Sequence, residues 1–346
     1  MMQCSFEAIS EDLPGARWKA VFDRHWPSYR NWYLQDGARA RPTFLACRRA
    51  LRTHMPELAP LWEQLVDLTG GGDVEARFLS LWCPPPFIAG CAQAVWMPPR
   101  DSSDAPVLLR NYDYSPALIE GTWLQSRWSR HSVIAMVDCL WGVLDGINEH
   151  GLAVSLSFGG RTVVGDGFGV PLVLRYLLET CSTVRDAVAA LQRIPLHMAY
   201  NVALLDAQGD WCNAFLGPDR TPEFVRQAAV TNHQERVDWP AHARATLTEE
   251  RQAVLAQSIK QAPSAEAMLR QMLRPPVFQT SFARGYGTLY TAMYTPTAGT
   301  AELVWQDARW FQSHAHFREG GCVARYGDSA DAPLVAVQRT GIRPGY

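Results

Sequence analysis

The chain has no surplus of either charge: 32 Lys+Arg stand against 34 Asp+Glu, a formal net charge of −2. That removes the electrostatic footprint of a nucleic-acid-binding protein and the polybasic patch of a membrane-surface protein. Lysine is nearly absent, with Lys19 and Lys260 alone beside the arginines. No apolar run approaches the roughly 18 residues of a membrane span. The opening MMQCSFEAISEDLPGARWKA has no basic region followed by an apolar one, so no secretory signal is expected. The cysteines, at 4, 47, 83, 91, 139, 181, 212 and 322, include no C-x-x-C pair and no zinc-ribbon spacing. A chain of 346 residues builds a core without disulfides, so reduced thiols in the cytoplasm are expected. No P-loop or G-x-G-x-x-G appears in a strand–helix context.

Apolar material is plentiful, at 47% against only 19% charged residues, which excludes disordered, collagenous and coiled-coil classes. The first 80 residues read as helical. Trp18, Val21, Phe22, Trp26, Tyr29 and Trp32 recur at three- and four-residue steps, one face of an amphipathic helix. Further helices are expected around Phe44–Met55 and Leu58–Leu68, the latter ended by Gly70-Gly71-Gly72. Pro84-Pro85-Pro86 then breaks the pattern, since neither a helix nor a central strand tolerates it.

Beyond the prolines the pattern turns to strands, at 91–98, 106–112, 132–137, 139–147 and 152–158. A helix pair is expected near 170–181 and 183–193, then a hairpin joining 199–206 to 210–216 through Gln208-Gly209. Helices at 243–260 and 264–273 and strands at 286–294 and 301–306 complete the reading. Strands, then helices, then strands again describe a layered α+β fold better than a parallel βαβ sheet.

One dipeptide carries the chemistry. Gly90-Cys91 opens a strand directly after the proline break. Glycine has no β-carbon, so a thiol can approach its carbonyl and accept the acyl group. Hydrolysis of that thioester would leave Cys91 as a new N-terminus. Its α-amine, which ordinarily titrates at about 7.7–8.0, can act as the nucleophile's own base. The segment Leu109-Arg110-Asn111-Tyr112-Asp113-Tyr114 follows after a turn rich in Asp, Ser and Pro. A hairpin would bring Arg110 and Asp113 back toward Cys91, the cation favouring a thiolate and the carboxylate holding an α-ammonium.

Gly90-Cys91, the R-N-x-D segment at Arg110–Asp113 and Thr231-Asn232-His233 occur in the same order in N-terminal-nucleophile (Ntn) hydrolases. The chain resembles the acyl-CoA:6-aminopenicillanate acyltransferase-like group, peptidase family C45, and more distantly choloylglycine hydrolases and penicillin V acylases. Asn148–Phe158 is similar to that group's N-x-x-G-[LV]-A-V hairpin, and Gly287-Thr288-Leu289-Tyr290 to its T-L-Y strand. The resemblance implies a four-layer αββα sandwich with an N-terminal helical segment. It divides the chain into a leader, 1–90, and a catalytic body, 91–346.

The resemblance further implies cleavage between Gly90 and Cys91, with Cys91 as nucleophile, Arg110 and Asp113 beside it, and Asn232 as oxyanion-hole donor. Ser157, a backbone N–H near Gly159, and His233 are secondary candidates; Arg284 is the nearest match to the late arginine of choloylglycine-type sites. The expected function is a self-processing amidohydrolase acting on a small acylated molecule, with no metal or organic cofactor and no nucleic-acid or membrane partner. An acyl-CoA-dependent N-acyltransferase and an unprocessed, non-catalytic small-ligand binder are the alternatives. A homo-oligomer or a processed αβ heterodimer fits either enzyme. Ser313-His314-Ala315-His316 places two imidazoles close together, and a solvated surface is preferred there to a metal edge. Trp96, Trp123, Trp128 and Trp141 are candidates for either core or acyl pocket.

Overall fold

The expectation of a purely helical leader fails at its first residues. Met2–Glu11 is a strand, and Cys4, Phe6 and Ala8 are buried while Gln3 and Ser5 face out. That period of two is the signature of a half-buried strand, and it is too short to stand out in a stretch otherwise read for helical spacing. The structure is a computed structural model and describes residues 2–327 and the strand 335–340. Residues 328–334 and 341–346 of the expected catalytic body lie outside the described residues.

In chain order, β1 (Met2–Glu11) is followed by α1 (Ala16–Tyr33), α2 (Phe44–His54), α3 (Ala59–Leu68) and α4 (Asp73–Leu79). Next come β2 (Gly90–Trp96), β3 (Val107–Tyr114), β4 (Thr122–Ser126), β5 (Val133–Asp138), β6 (Gly142–Asn148) and β7 (Ala153–Phe158). The pair α5 (Val170–Thr180) and α6 (Val184–Leu191) leads into β8 (Tyr200–Leu205), β9 (Trp211–Leu216), β10 (Glu223–Val225) and β11 (Ala229–Val230). Then α7 (Pro240–Thr246), α8 (Thr248–Gln261) and α9 (Ala265–Met272) precede β12 (Gly287–Thr295), β13 (Thr300–Val304), β14 (Arg309–Ser313), β15 (Gly320–Tyr326) and β16 (Val335–Thr340).

Among the described residues these strands make two sheets. One has ten strands in the order β10-β9-β8-β7-β6-β5-β4-β1-β15-β16, the other six in the order β11-β2-β3-β12-β13-β14. Strands β2 and β3 pack face to face on β7 and β8, and β12 and β13 on β6. Helices α5 and α6 cover the outer face of the larger sheet, and α8 and α9 that of the smaller. The architecture is therefore the αββα sandwich. The described strand pairs are antiparallel except β1 with β4. The nearly unbroken burial of β2, β3, β6 and β7 follows from their place between two layers.

Strand β1 is not an appendage. It sits between β4 and β15, and its Phe6 ring meets Trp305 and Tyr290 with centroids 5.3 and 6.1 Å away. The leader helices attach through buried indoles: Trp18 donates to the Leu140 carbonyl and Trp141 to that of Leu79. The expected helix 243–260 is two helices, broken at Leu247, where φ is +50°. Replacing Phe6 with alanine is predicted to lower the unfolding free energy by about 3–5 kcal/mol, the usual cost of emptying a buried aromatic site. Chemical denaturation reads this directly; a loss below about 1 kcal/mol would mark β1 as a loosely docked strand.

Candidate active site

Strand β2 begins at Gly90, and its seven residues are all buried. Across the β2–β3 ladder Gly90 lies opposite Asp113, Cys91 opposite Tyr112 and Gln93 opposite Arg110. Directly paired residues share a face, and neighbours along a strand alternate. Cys91 and Arg110 thus point into the layer between the sheets, while Asp113 points toward the helices.

Arg110 organises the inner face. Its Nη2 donates to Cys91 Sγ at 3.1 Å and its Nε to the Leu156 carbonyl at 3.0 Å. Nη1 pairs with Asp145 and donates to Tyr290 Oη at 3.1 Å. Asp145 in turn accepts from Tyr290 at 2.7 Å and from Tyr294. The guanidinium also stacks 4.6 Å from the Tyr112 ring centroid. Burial pushes the Cys91 thiol up to about 11, and the neighbouring Arg110 cation draws it partly back.

Asp113 does not touch the thiol. On the far face it pairs with Arg251 of α8 and accepts from Thr288 Oγ1 at 2.6 Å. Burial pushes its carboxyl above the ordinary range, against the pull of Arg251 and Thr288. Its position opposite Gly90 puts it at the expected scissile unit. Gly90 itself admits no side chain: a β-carbon there would collide with Tyr286 Oη and lie 3.1 Å from Asp113 Cβ. That hydroxyl is buried without a hydrogen-bond partner.

Asn232 reaches Cys91, though by its oxygen. Oδ1 accepts the Cys91 backbone N–H at 3.1 Å, while Nδ2 donates to the Phe158 carbonyl at 3.3 Å and retains a second hydrogen. The loop around it is pinned by Thr248, whose Oγ1 takes the Asn232 N–H at 2.7 Å and meets His233 Nδ1 at 2.9 Å. Burial lowers the His233 pKa, favouring the neutral ring. The break at Leu247 starts α8 anew at Thr248, beside this loop.

The secondary candidates lie in the hydrogen-bond network around this loop. Ser157 donates to the Thr231 carbonyl at 2.9 Å, and Asn201 Nδ2 bridges Ser157 and the carbonyls of 231 and 233. The Gly159 N–H is used by the Ala199 carbonyl at 2.8 Å, so it is not the spare backbone donor the sequence suggested. Arg284 is exposed; the buried cation beside Asp113 is Arg251. Of the two late imidazoles, His314 is half-buried against Ser132 and His316 is exposed. Trp96, Trp123, Trp128 and Trp141 are core residues. Among the described residues one group has metal-ligand chemistry, His131, Glu149 and His150, whose ligand atoms lie within 4.8 Å of one another. Glu149 is already taken there by Arg127 and by the Ser132 N–H.

Sequence reasoning missed Asp145, Tyr294, Thr248 and Arg251. Asp145 carried a signal, being the only charged residue in the apolar run CLWGVLDGI. Arg251 carries no comparable signal, standing among other charged and polar residues of its helix.

An αββα sandwich with a cysteine at the second residue of an inner strand, its N–H and thiol both held, defines the class: an N-terminal-nucleophile type of fold. The family model for acyl-coenzyme A:6-aminopenicillanic acid acyl-transferase matches residues 100–310, and the chain belongs to this family. The matched range contains Arg110, Asp113 and Asn232 and begins after Cys91. No curated protein matches in sequence. Among solved structures, penicillin V acylase from Agrobacterium tumefaciens is similar at 13% identity, covering 67% of this chain and 90% of that one, with a TM-score of 0.49. A mutant conjugated bile acid hydrolase from Clostridium perfringens follows at 11% identity, 69% and 98% coverage and a TM-score of 0.46. An N-acylethanolamine-hydrolyzing acid amidase orthologue from Caenorhabditis elegans has 16% identity, 60% and 93% coverage and a TM-score of 0.41. No helix among the described residues is long and apolar enough to cross a membrane.

Removing the cation tests the Arg110–Cys91 contact. Arg110→Gln is predicted to slow alkylation of Cys91 by iodoacetamide at neutral pH by at least about threefold, since an adjacent cation is worth about one to three pKa units and the scarcer thiolate is only partly compensated by its greater nucleophilicity. Peptide mass mapping isolates Cys91 from the other thiols. An unchanged rate in a folded variant would show that the guanidinium does not act on the sulfur.

Proposed function

We propose that the chain is a self-processing N-terminal-cysteine amidohydrolase that cleaves the C–N bond of a small acylated molecule. The observation that carries this is Cys91 itself, placed directly after Gly90 with its thiol held by Arg110 and its N–H by Asn232. In the precursor, Sγ attacks the Gly90 carbonyl carbon and the bond to the Cys91 nitrogen breaks, the thiol proton passing to that nitrogen. Water hydrolyses the resulting thioester, leaving a Gly90 carboxylate and a free Cys91 α-amine. Asp113, across the ladder from Gly90, is the carboxylate that this new ammonium meets.

In turnover the α-amine takes the thiol proton as sulfur attacks the substrate carbonyl, and returns it to the departing amine. The second hydrogen of Asn232 Nδ2 serves the oxyanion, a role worth about 2.7–4 kcal/mol in comparable sites. Water then releases the acid from the thioester. Acyl transfer from a coenzyme A thioester to an amine is the second reading, favoured by the activity in the family's name. The two differ only in what delivers and what removes the acyl group.

The cut would not release the leader. Strand β1 stays hydrogen-bonded between β4 and β15, and the α1 indole of Trp18 stays bonded to Leu140. Purified protein is therefore expected to give two fragments by mass under denaturing conditions, ending at Gly90 and starting at Cys91, that co-elute under native conditions. Cys91→Ala should remain a single chain of about 38.6 kDa and release no amine from N-acyl-p-nitroanilides. Wild-type hydrolysis rates in Cys91→Ala would overturn the proposal. Adding an acyl-CoA and a free amine, and analysing products, separates hydrolysis from transfer.

A further inference from the structure

A pair of carboxylates near the site has no ion-pair partner among the described residues, and only the more distant Arg110 cation acts on Asp138. Glu120, in the loop between β3 and β4, is only 6% exposed, and Asp138 ends β5. Tyr29 of α1 stands between them, its hydroxyl in contact with Glu120 and 3.0 Å from Asp138 Oδ1. A phenol carries one proton, so it satisfies one of these acceptors at a time. The backbone N–H of Cys139 is spent on Tyr29 Oη at 3.0 Å, and that of Leu140 on Glu120 Oε1 at 2.8 Å. Glu120 Oε2 is buried without any partner. Among the described residues neither carboxylate has an ion-pair partner. His25, on the same wall, is held toward its neutral form by burial.

Both carboxylates line a cavity of about 210 Å³ whose other walls include Tyr29, Trp32, Phe87 and Tyr114. That volume is below the range of about 300–1,000 Å³ typical of pockets for whole drug-sized ligands, so it suits one group of a ligand. Cys91 does not line the cavity, but two of its walls lead toward it. Phe87 lies four residues before Cys91. Tyr114 packs on Tyr112, ring centroids 5.6 Å apart, and Tyr112 is the ladder partner of Cys91.

We propose that this cavity is a recognition subsite for a protonated amino group carried by the amine half of the substrate, a group separate from the nitrogen that is released or acylated. The proposal deepens the reading of Cys91 as the nucleophile and rests on it for the role of the amine, but the binding itself does not pass through the thiol. An ammonium supplies what the cavity lacks: a donor to Glu120 Oε2 and positive charge between two carboxylates. Aromatic walls favour it as well, through attraction of a cation to ring faces. A divalent metal fits less well, since hard cations seek about six to eight oxygens and few remain uncommitted here. Burial, with Asp138 nearby, pushes the Glu120 carboxyl up to about 8, as expected of a buried acid awaiting a counter-charge.

The test is calorimetric titration of the full-length protein with 2-phenylethylammonium and, separately, with 2-phenylethanol, which has the same shape without the charge. No acyl donor is present, so the readout survives any failure of the Cys91 chemistry; Cys91→Ala titrated in parallel confirms that independence. The amine is expected to bind at least tenfold more tightly than the alcohol, and Glu120→Gln/Asp138→Asn to abolish the preference. Equal affinities in the wild-type protein, no amine binding at millimolar concentration, or a preference surviving in the folded double variant would each overturn the proposal. Displacement of the amine by calcium or magnesium would reassign the cavity to a metal. The wild-type comparison stands even if the double variant does not fold.

Discussion

The rest of the structure depends on a guanidinium held away from water. Arg110 has no exposed surface, and stripping a charge of its hydration is costly unless its donors find partners. The partners come from both sheets. Arg110 belongs to β3, as do Tyr290 and Tyr294 to the adjoining β12, while Asp145 and Leu156 belong to β6 and β7 of the opposite sheet. The ion pair therefore crosses the space between the layers. A hydrogen-bonded charge pair is directional, so it fixes how the sheets sit on one another. Cys91 receives a donor of that same cation. The register that closes the core is the register that positions the sulfur.

A second constraint works on the backbone. The loop 231–233 carries Asn232 to Cys91, and a loop buried at this depth must satisfy its own polar groups. Thr248, Ser157 and Asn201 do this, each from a different element. The helical break at Leu247 follows from the same need. A continuous helix through 243–260 would be favoured locally, but it would not begin at Thr248 and leave its hydroxyl turned to the loop. Local propensity yields to the demands of a buried site, as is common where function is built.

These constraints explain what could be read from the linear chain. Strands β2, β3, β6 and β7 were legible because their runs of apolar residues and turn signals lie within a few positions of one another. Gly90, Cys91, Arg110 and Asn232 were legible because their order matches a known pattern. Strand β1 was not, since its partners β4 and β15 lie more than a hundred residues away and only Cys4, Phe6 and Ala8 mark its period. Arg251 was hidden for a related reason. Nothing in a helix such as TEERQAVLAQSIKQ tells which charge turns inward, because the answer lies in Asp113 on another element. Asp113 shows the limit from the other side: a hairpin brings it back to β2, but strand alternation sends its side chain to the opposite face from the thiol.

The leader and the site then share one electrostatic logic. Burial holds the Cys91 thiol, the Asp113 carboxyl and the Glu120 carboxyl toward their uncharged forms. Arg251 beside Asp113 and Arg110 beside Cys91 pull against that burial, while Glu120 has no such ion-pair partner among the described residues. For the thiol and Asp113, the proposed cut would supply a new ammonium at the start of β2. For Glu120, the proposed ligand would bring one in. Tyr29 and Trp32 of α1 line the cavity around Glu120, and β1 holds a place in the larger sheet, so under the proposed chemistry the segment before Cys91 would wall the subsite as well as complete the sheet. A segment lost after processing could serve neither purpose. Its burial in the core is thus a requirement of the proposed chemistry as well as of the fold.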